Sequence, residues 1–349
     1  MNEKDGAKVC RTTYTAYALP LMLRLSTARH HGLQPPSAGD LRGLKEEQSW
    51  LSATACPASG PLRSHRHTRP KKRPAGDVGA SAWPSEPRRG WQRVFRYSAA
   101  TLAAAIDLQK GGEVKGPLAV AVVQPVWAGA DVLANARVHA EAIEQVGARL
   151  VVFPELSLTG YDLDAPSLTA DDRRLLVIAN ACRAVGSVAL VGAPVRDADG
   201  REHIATLAVT GDGVIVAYRK MWLHGAETDR FTPGEETVVF PVDGWRLGLA
   251  ICYDAAVPQH AADTTALGVD AYVASTVYGP DPGSWSRRDS HMSERAGTHD
   301  VWGVLATAAG PSGSFSWTSG GSGIWAPNGE VATQAGSLPG QTVVFTLPA

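Results

Sequence analysis

From about Val114 onward, short apolar runs alternate with amphipathic stretches; before it no period holds. That alternation restricts the second part of the chain to strands and helices packed in layers. "PLAVAVVQP" (117–125), "ARLVVFPE" (148–155) and "SVALVGAPV" (187–195) read as strands buried on both faces. Residues 130–147 read as a helix with Leu133, Ala136, Ala140, Ile143 and Gly147 on one face. A further helix is expected at 170–185. Two hairpins follow, through Gly211-Asp212-Gly213 and through Asp243-Gly244. Helices at 257–268 and 285–299, strands at 270–277 and 301–309, and three closing strands complete the pattern. Continuous apolar strands between helices imply an α/β class, and the hairpins imply mixed rather than purely parallel sheets.

The first 115 residues are a different kind of sequence. They hold 19 Lys+Arg against 9 Asp+Glu, whereas residues 116–349 hold 14 against 25, so the net charge of −1 conceals +10 beside −11. Pro, Arg, Ser and His are scattered there without period, and such a segment cannot bury enough apolar surface to offset chain entropy. "PKKRP" (70–74) reads as a solvated charge run, and "AATLAAAI" (99–106) as one short helix. Residues 1–113 are therefore expected to be a disordered or mis-called extension, with the domain spanning 114–349. Peptides from residues 1–98 found in cells at the abundance of the domain would contradict a mis-called start.

No apolar run approaches the roughly 20 residues of a membrane helix, so no membrane partner is expected. The four cysteines, Cys10, Cys56, Cys182 and Cys252, show no CxxC or zinc spacing. A disulfide framework, a metal site or a cofactor is not indicated, and reduced thiols point to a cytoplasmic protein.

Three apolar runs finish on a reactive side chain. "RLVVFPE" ends at Glu155, "IVAYRK" at Lys220 and "RLGLAIC" at Cys252. Lys220 is the single lysine of residues 116–349 against thirteen arginines. That contrast marks a site where a compact ammonium is needed and a planar guanidinium will not serve. Cys252 ends a strand and turns into a helix, beside free backbone N–H groups that favour a thiolate and can hold an oxyanion. Glu155, partly buried at a strand end, has its pKa raised toward that of a general base. Cys182, in the middle of a helix, reads as an inert core thiol.

The order Glu155, Lys220, Cys252 on strand ends resembles the nitrilase superfamily of carbon–nitrogen hydrolases. "FPELSLTGYD" (153–162), "YRKMWLHGAETDRFTPG" (218–234) and "GLAICYD" (248–254) resemble that family's glutamate, lysine and cysteine blocks. "ERAGTHDVWGVLATAAG" (294–310) and "GGSGIWAPNGEV" (320–331) resemble its closing elements. The resemblance implies an α/β four-layer α-β-β-α sandwich with two mixed β-sheets, paired into a homodimer. It implies hydrolysis of a small amide or N-carbamoyl substrate through a Cys252 thioester. Glu155 is then the general base; Lys220 and the Tyr253 N–H stabilise the oxyanion, and Glu227 matches the family's second glutamate. Tyr161, Tyr278 and Trp285 are candidates to line the pocket. "AAVPQ" (255–259) and Ala308 depart from the family pattern, which leaves a wall of Ala and Val with no charge to grip a carboxylate. Nucleic acid is not an expected partner.

Other readings have their own discriminants. A nitrile hydrolase typically follows its cysteine with Trp-Glu rather than Tyr-Asp, and a glutaminase-type ammonia donor serves a synthetase domain. A catalytically silent scaffold of the same fold would hold a slow-reacting thiol. A papain-like enzyme needs a histidine partner, and His203, His224, His260, His291 and His299 read as loop or surface residues.

Overall fold

The computed structural model describes residues 115–349, so the expectations for residues 1–113 lie outside the described part. Its elements run β1 (Leu118–Val123), α1 (Val132–Val146), β2 (Leu150–Val152), α2 (Leu176–Val185), β3 (Val188–Arg196), β4 (Glu202–Thr210) and β5 (Gly213–Arg219). The chain continues through β6 (Val239–Val242), β7 (Trp245–Ile251), α3 (Tyr253–Ala256), α4 (Pro258–Thr265), β8 (Ala271–Thr276) and α5 (Pro282–His299). It closes with β9 (Trp302–Thr307), β10 (Gly323–Trp325), β11 (Val331–Gln334) and β12 (Thr342–Leu347).

Two six-stranded sheets form, in the orders β12-β1-β2-β3-β4-β5 and β6-β7-β8-β9-β10-β11. Each has the same internal logic. Three parallel strands (β1-β2-β3, β7-β8-β9) are joined by helical crossovers, one antiparallel strand flanks them on one side and an antiparallel pair on the other. In the second sheet the flanking strand, β6, comes just before β7. In the first sheet that place is taken by β12, the last strand of the chain, paired with β1 from Leu118↔Leu347 to Val123↔Thr342.

Period-two alternation sorts side chains into layers. Leu118, Val120 and Val122 of β1 face Leu247, Leu249 and Ile251 of β7 in a core between the sheets. Ala121, Val151 and Phe153 turn the other way, onto α1 and α2. Ala250, Tyr272 and Leu305 pack under α4 and α5. The result is a four-layer α-β-β-α sandwich.

The α1 face differs from the periodicity reading. Val132, Asn135, Ala136, His139, Ala140 and Ile143 are buried, while Leu133 is only partly so. Two polar side chains occupy the inner stripe because they bond the neighbouring loop, as described below. His203 and His260 are likewise buried, on β4 and α4, rather than on loops or the surface. His203 Nδ1 lies 2.7 Å from the Thr232 carbonyl, and His260 sits between two tyrosine hydroxyls. His203 Nε2 lies 3.2 Å from Asp197 Oδ2, and buried polar groups that have such partners are tolerated in a core.

Closure by β12 yields a test. Removing it strips β1 of its ladder and takes Leu347, Val343 and Phe345 from the core, each worth roughly 1.5–3 kcal/mol if fully buried. That loss rivals the total stability of a typical domain, about 5–15 kcal/mol. A chain ending at Gly340 should lose its cooperative thermal transition by circular dichroism.

Candidate active site

Each of the three strand-end residues is delivered by a local device. Cys252 follows β7 with φ 47° and ψ −101°, a conformation that non-glycine residues seldom adopt. Its N–H bonds Ser275 O at 2.9 Å, and α3 begins at the next residue. The sharp turn lifts Sγ off the strand, where it lies 3.5 Å from Val277 O. Tyr253 opens the helix, so its N–H has no intrahelical acceptor. Its ring is 40% exposed and packs 4.9 Å from the His224 ring.

Lys220 follows β5 and is held by two backbone bonds, its N–H to Ile204 O (2.8 Å) and its carbonyl from Gly234 N–H (2.7 Å). Gly234 has no room for a side chain, since a Cβ would meet Arg219 O at 2.3 Å. Nζ is fully buried and donates to Glu155 Oε1 and to Glu227 Oε1, both at 2.7 Å. Glu227 lies in a 3-10 turn, where its Oε2 accepts from His224 N–H at 2.8 Å and its Oε1 from the Tyr161 hydroxyl at 2.6 Å.

Glu155 sits beyond β2 in a turn pressed against β3. Leu156 takes φ 50°, and a Cβ on Gly192 would stand 2.4 Å from Leu156 N and 2.5 Å from Pro154 O. Only glycine lets the turn approach that closely. Four bonds then sew it down. Leu158 N–H donates to Gly192 O (3.0 Å), Gly192 N–H to Ser157 Oγ (3.2 Å), and Asn135 Nδ2 of α1 to Leu158 O (3.1 Å). His139 Nε2 meets Ser157 Oγ at 2.9 Å. Burial lowers the His139 pKa to about 4, so the ring is neutral and accepts the Ser157 proton.

The electrostatics depart from the sequence reading in one respect. Burial pushes the Cys252 thiol up rather than down, and the Glu155 charge adds to this, while Lys220 opposes it. Cys252 is therefore a thiol at rest and not a preformed thiolate. Cys182 is raised too, to about 12, by burial, so proton affinity alone does not separate the two cysteines. What separates them is that Cys252 is close enough to Glu155 and Lys220 to shift their titration. Burial raises Glu155 to about 7, against the opposing pull of Lys220. Burial would lower Lys220, but the charges of Glu155 and Glu227 and the hydrogen bond to Glu155 outweigh it and keep the ammonium above its ordinary range.

The structure thus brings together Glu155, Lys220, Glu227 and Cys252, with Tyr161 attached through Glu227. Tyr278 lies next to Val277, its hydroxyl 3.1 Å from His291 Nδ1. Trp285 is 41% exposed on α5. Ala308 lines a cavity with Pro125, Trp127, Pro154 and Glu155. Ala255 does not belong to a pocket wall, because α3 turns it into the core under α5. The sequence reading missed Gly192, Ser157, Asn135 and His139. A lone glycine inside an apolar strand signals close backbone approach, and Gly192 carried that signal.

Gly192→Ala tests this arrangement. In an ordinary strand the change would be neutral or favourable. Here it should displace the Glu155 turn and cost on the order of 10²-fold in turnover, read as ammonia release from an amide by a variant with native circular dichroism.

The family described as Carbon-nitrogen hydrolase matches residues 119–348. A Pseudomonas protegens protein called "Hydrolase in pqqF 5'region" is 33% identical over 191 residues, 52% of this chain and 66%, just under two thirds, of its own length. An (R)-stereoselective amidase from Pseudomonas sp. is 29% identical over 190 residues, 54% of this chain and 69% of its own. Among solved structures, a mutant of the amidase from Nesterenkonia sp. AN1, with acrylamide added to its active-site cysteine, superposes with a TM-score of 0.60 at 24% identity. The match covers 66% of this chain and 93% of that one.

Proposed function

The chain belongs to the carbon–nitrogen hydrolase family and is an enzyme of that kind; from that premise we propose that it hydrolyses a small amide or N-carbamoyl substrate through a Cys252 thioester. One observation carries this reading. A fully buried lysine is held 2.7 Å from each of two carboxylates, beside a cysteine on a strained turn.

The chemistry follows from the proton inventory. Glu155, ionised, removes the Sγ–H proton as sulfur attacks the carbonyl carbon. An ammonium has three N–H donors. Two are spent on Glu155 and Glu227, which leaves the third for the developing oxyanion, together with the Tyr253 N–H. Glu155 then returns its proton to the leaving nitrogen, and the C–N bond breaks. Water attacks the thioester, again losing its proton to Glu155, and the thiol is regenerated. Glu227 fixes Lys220, and Tyr161 fixes Glu227. The same reading carries the homodimer and the cytoplasmic setting. Among the described residues no helix is long and apolar enough to cross a membrane.

Cys252→Ala should abolish turnover with the fold intact. Lys220→Arg should do the same, because the planar fork cannot reproduce a point charge with a free third donor. Substantial turnover by the arginine variant would show that generic positive charge suffices. Glu155→Gln should stop acylation, and a thioester still visible by intact mass would overturn its role as base.

The pH profile gives a further check. Glu155 works ionised and is raised to about 7, so kcat/KM should fall roughly tenfold per pH unit below that value and level off above it. The plateau should extend past pH 9, because Lys220 stays charged. An acid limb near 4.5, the range of an ordinary glutamate, would contradict the arrangement.

A further inference from the structure

Asp254 is completely buried two residues past Cys252, and the reaction outlined above does not use it. Its carboxylate receives three donors. Oδ2 accepts from Ile251 N–H (2.9 Å), on the strand that ends at Cys252, and from the Tyr218 hydroxyl (2.8 Å). Oδ1 accepts from Trp222 N–H at 2.8 Å. Tyr218 and Trp222 lie two residues before and two residues after Lys220. One carboxylate therefore ties the turn that carries the thiol to both sides of the residue that carries the ammonium. Ile251 belongs to the second sheet, and Tyr218 to the first.

The network behind it is closed. An ionised Asp254 only accepts, so Tyr218 must donate to it. The Tyr218 oxygen then accepts from His260 Nε2–H at 2.9 Å, and His260 Nδ1 accepts from the Tyr272 hydroxyl at 2.8 Å. Each donor has one acceptor, and burial holds His260 neutral, with a pKa of about 4. This leaves Tyr218 one orientation and Asp254 one rotamer. A fully satisfied buried network specifies geometry in a way an apolar core cannot.

We infer that Asp254 is a positioning residue that sets the distance between Lys220 and Cys252 across the two sheets, with Tyr218 and His260 as its support. This rests on the proposed roles of those two groups. Asparagine is isosteric with Asp254 but keeps only one acceptor oxygen. Placed at Oδ2 that oxygen serves Ile251 and Tyr218, and the amide N–H₂ then faces Trp222 N–H, so the lysine segment is released while the cysteine turn stays bonded.

The test uses acrylamide as probe and follows adduct formation on the Cys252 peptide by mass spectrometry, in the full chain. For Asp254→Asn the maximal rate of modification should fall about 10²-fold, the scale of a displaced reacting group, while the half-saturating acrylamide concentration stays within about threefold. For Tyr218→Phe the rate should fall by a smaller factor in the same pattern. If Asp254→Asn does not fold, Tyr218→Phe decides. A merely structural role would lower the melting temperature and leave the rate per folded molecule at the wild-type value, and that result would overturn the inference. Cys252→Ala separates the two levels. Ammonia release from propionamide surviving in that variant would sink the nucleophile assignment and this inference with it. Loss of that activity in Cys252→Ala, with wild-type modification rates in both positioning variants, would sink the inference alone.

Discussion

A lysine ammonium with no access to water is the constraint around which the rest of this structure is arranged. Removing such an ion from water costs several kcal/mol unless charge and hydrogen bonds replace the solvent. Glu155 and Glu227 supply both at 2.7 Å. The two carboxylates around one cation leave the cluster a net negative charge. Burial does most to raise the proton affinity of Glu155, Lys220 opposes it and Glu227 adds to it; at the neighbouring thiol, burial and the Glu155 charge together outweigh Lys220 and keep the proton on. The ion pair that makes the burial of Lys220 tolerable therefore also holds the proton affinity of Glu155 below what burial alone would give it. Arginine would satisfy the charge balance, but its larger planar group would not fit the same point contact.

The placement of this cluster follows from the sheet pairing. Glu155 comes from the first sheet, just beyond β2; Lys220 from the same sheet, beyond β5; Cys252 from the second, beyond β7. The groups converge because the inner faces of the two sheets pack on each other through Leu249, Ile251, Val120 and Val122. Any slip of one sheet on the other would separate thiol from ammonium. The apolar core holds the layers together but is tolerant of small shifts. The polar crossing at Asp254 is directional and is not.

The layered fold could be read from the chain because its causes are local. Strand runs, hairpin turns and the α1 cap pair Asp131 and Gly147 are all encoded within a few residues of where they act. Glu155, Lys220 and Cys252 were legible for the same reason, as reactive residues that end apolar runs. What stayed hidden depends on partners distant in sequence. His260 looked like a surface residue because nothing near it shows that Tyr218 and Tyr272 will bracket it. The thiol's proton affinity was misjudged because a helix N-terminus argues for a thiolate, while the burial and the Glu155 charge that prevail are properties of the assembled site.

Backbone strain falls where that assembly is tightest. Among the described residues, four non-glycine positions have positive φ: Leu156, Asp243, Cys252 and Asp300. Asp243 lies in a hairpin turn and Asp300 ends α5, ordinary places for this conformation. The other two are Leu156, directly after Glu155, and Cys252, both in tight turns where a leucine and a cysteine seldom take this conformation. Such residues persist only where their surroundings over-determine them. For Leu156 the surroundings are the Gly192 backbone and the α1 side chains Asn135 and His139. For Cys252 they are the Ser275 carbonyl and the Asp254 carboxylate, which grips the strand one residue upstream. Both strained turns are thus clamped by groups outside the reaction, and their cost is the conformational component of holding a protonated thiol and a poised carboxylate close to one ammonium.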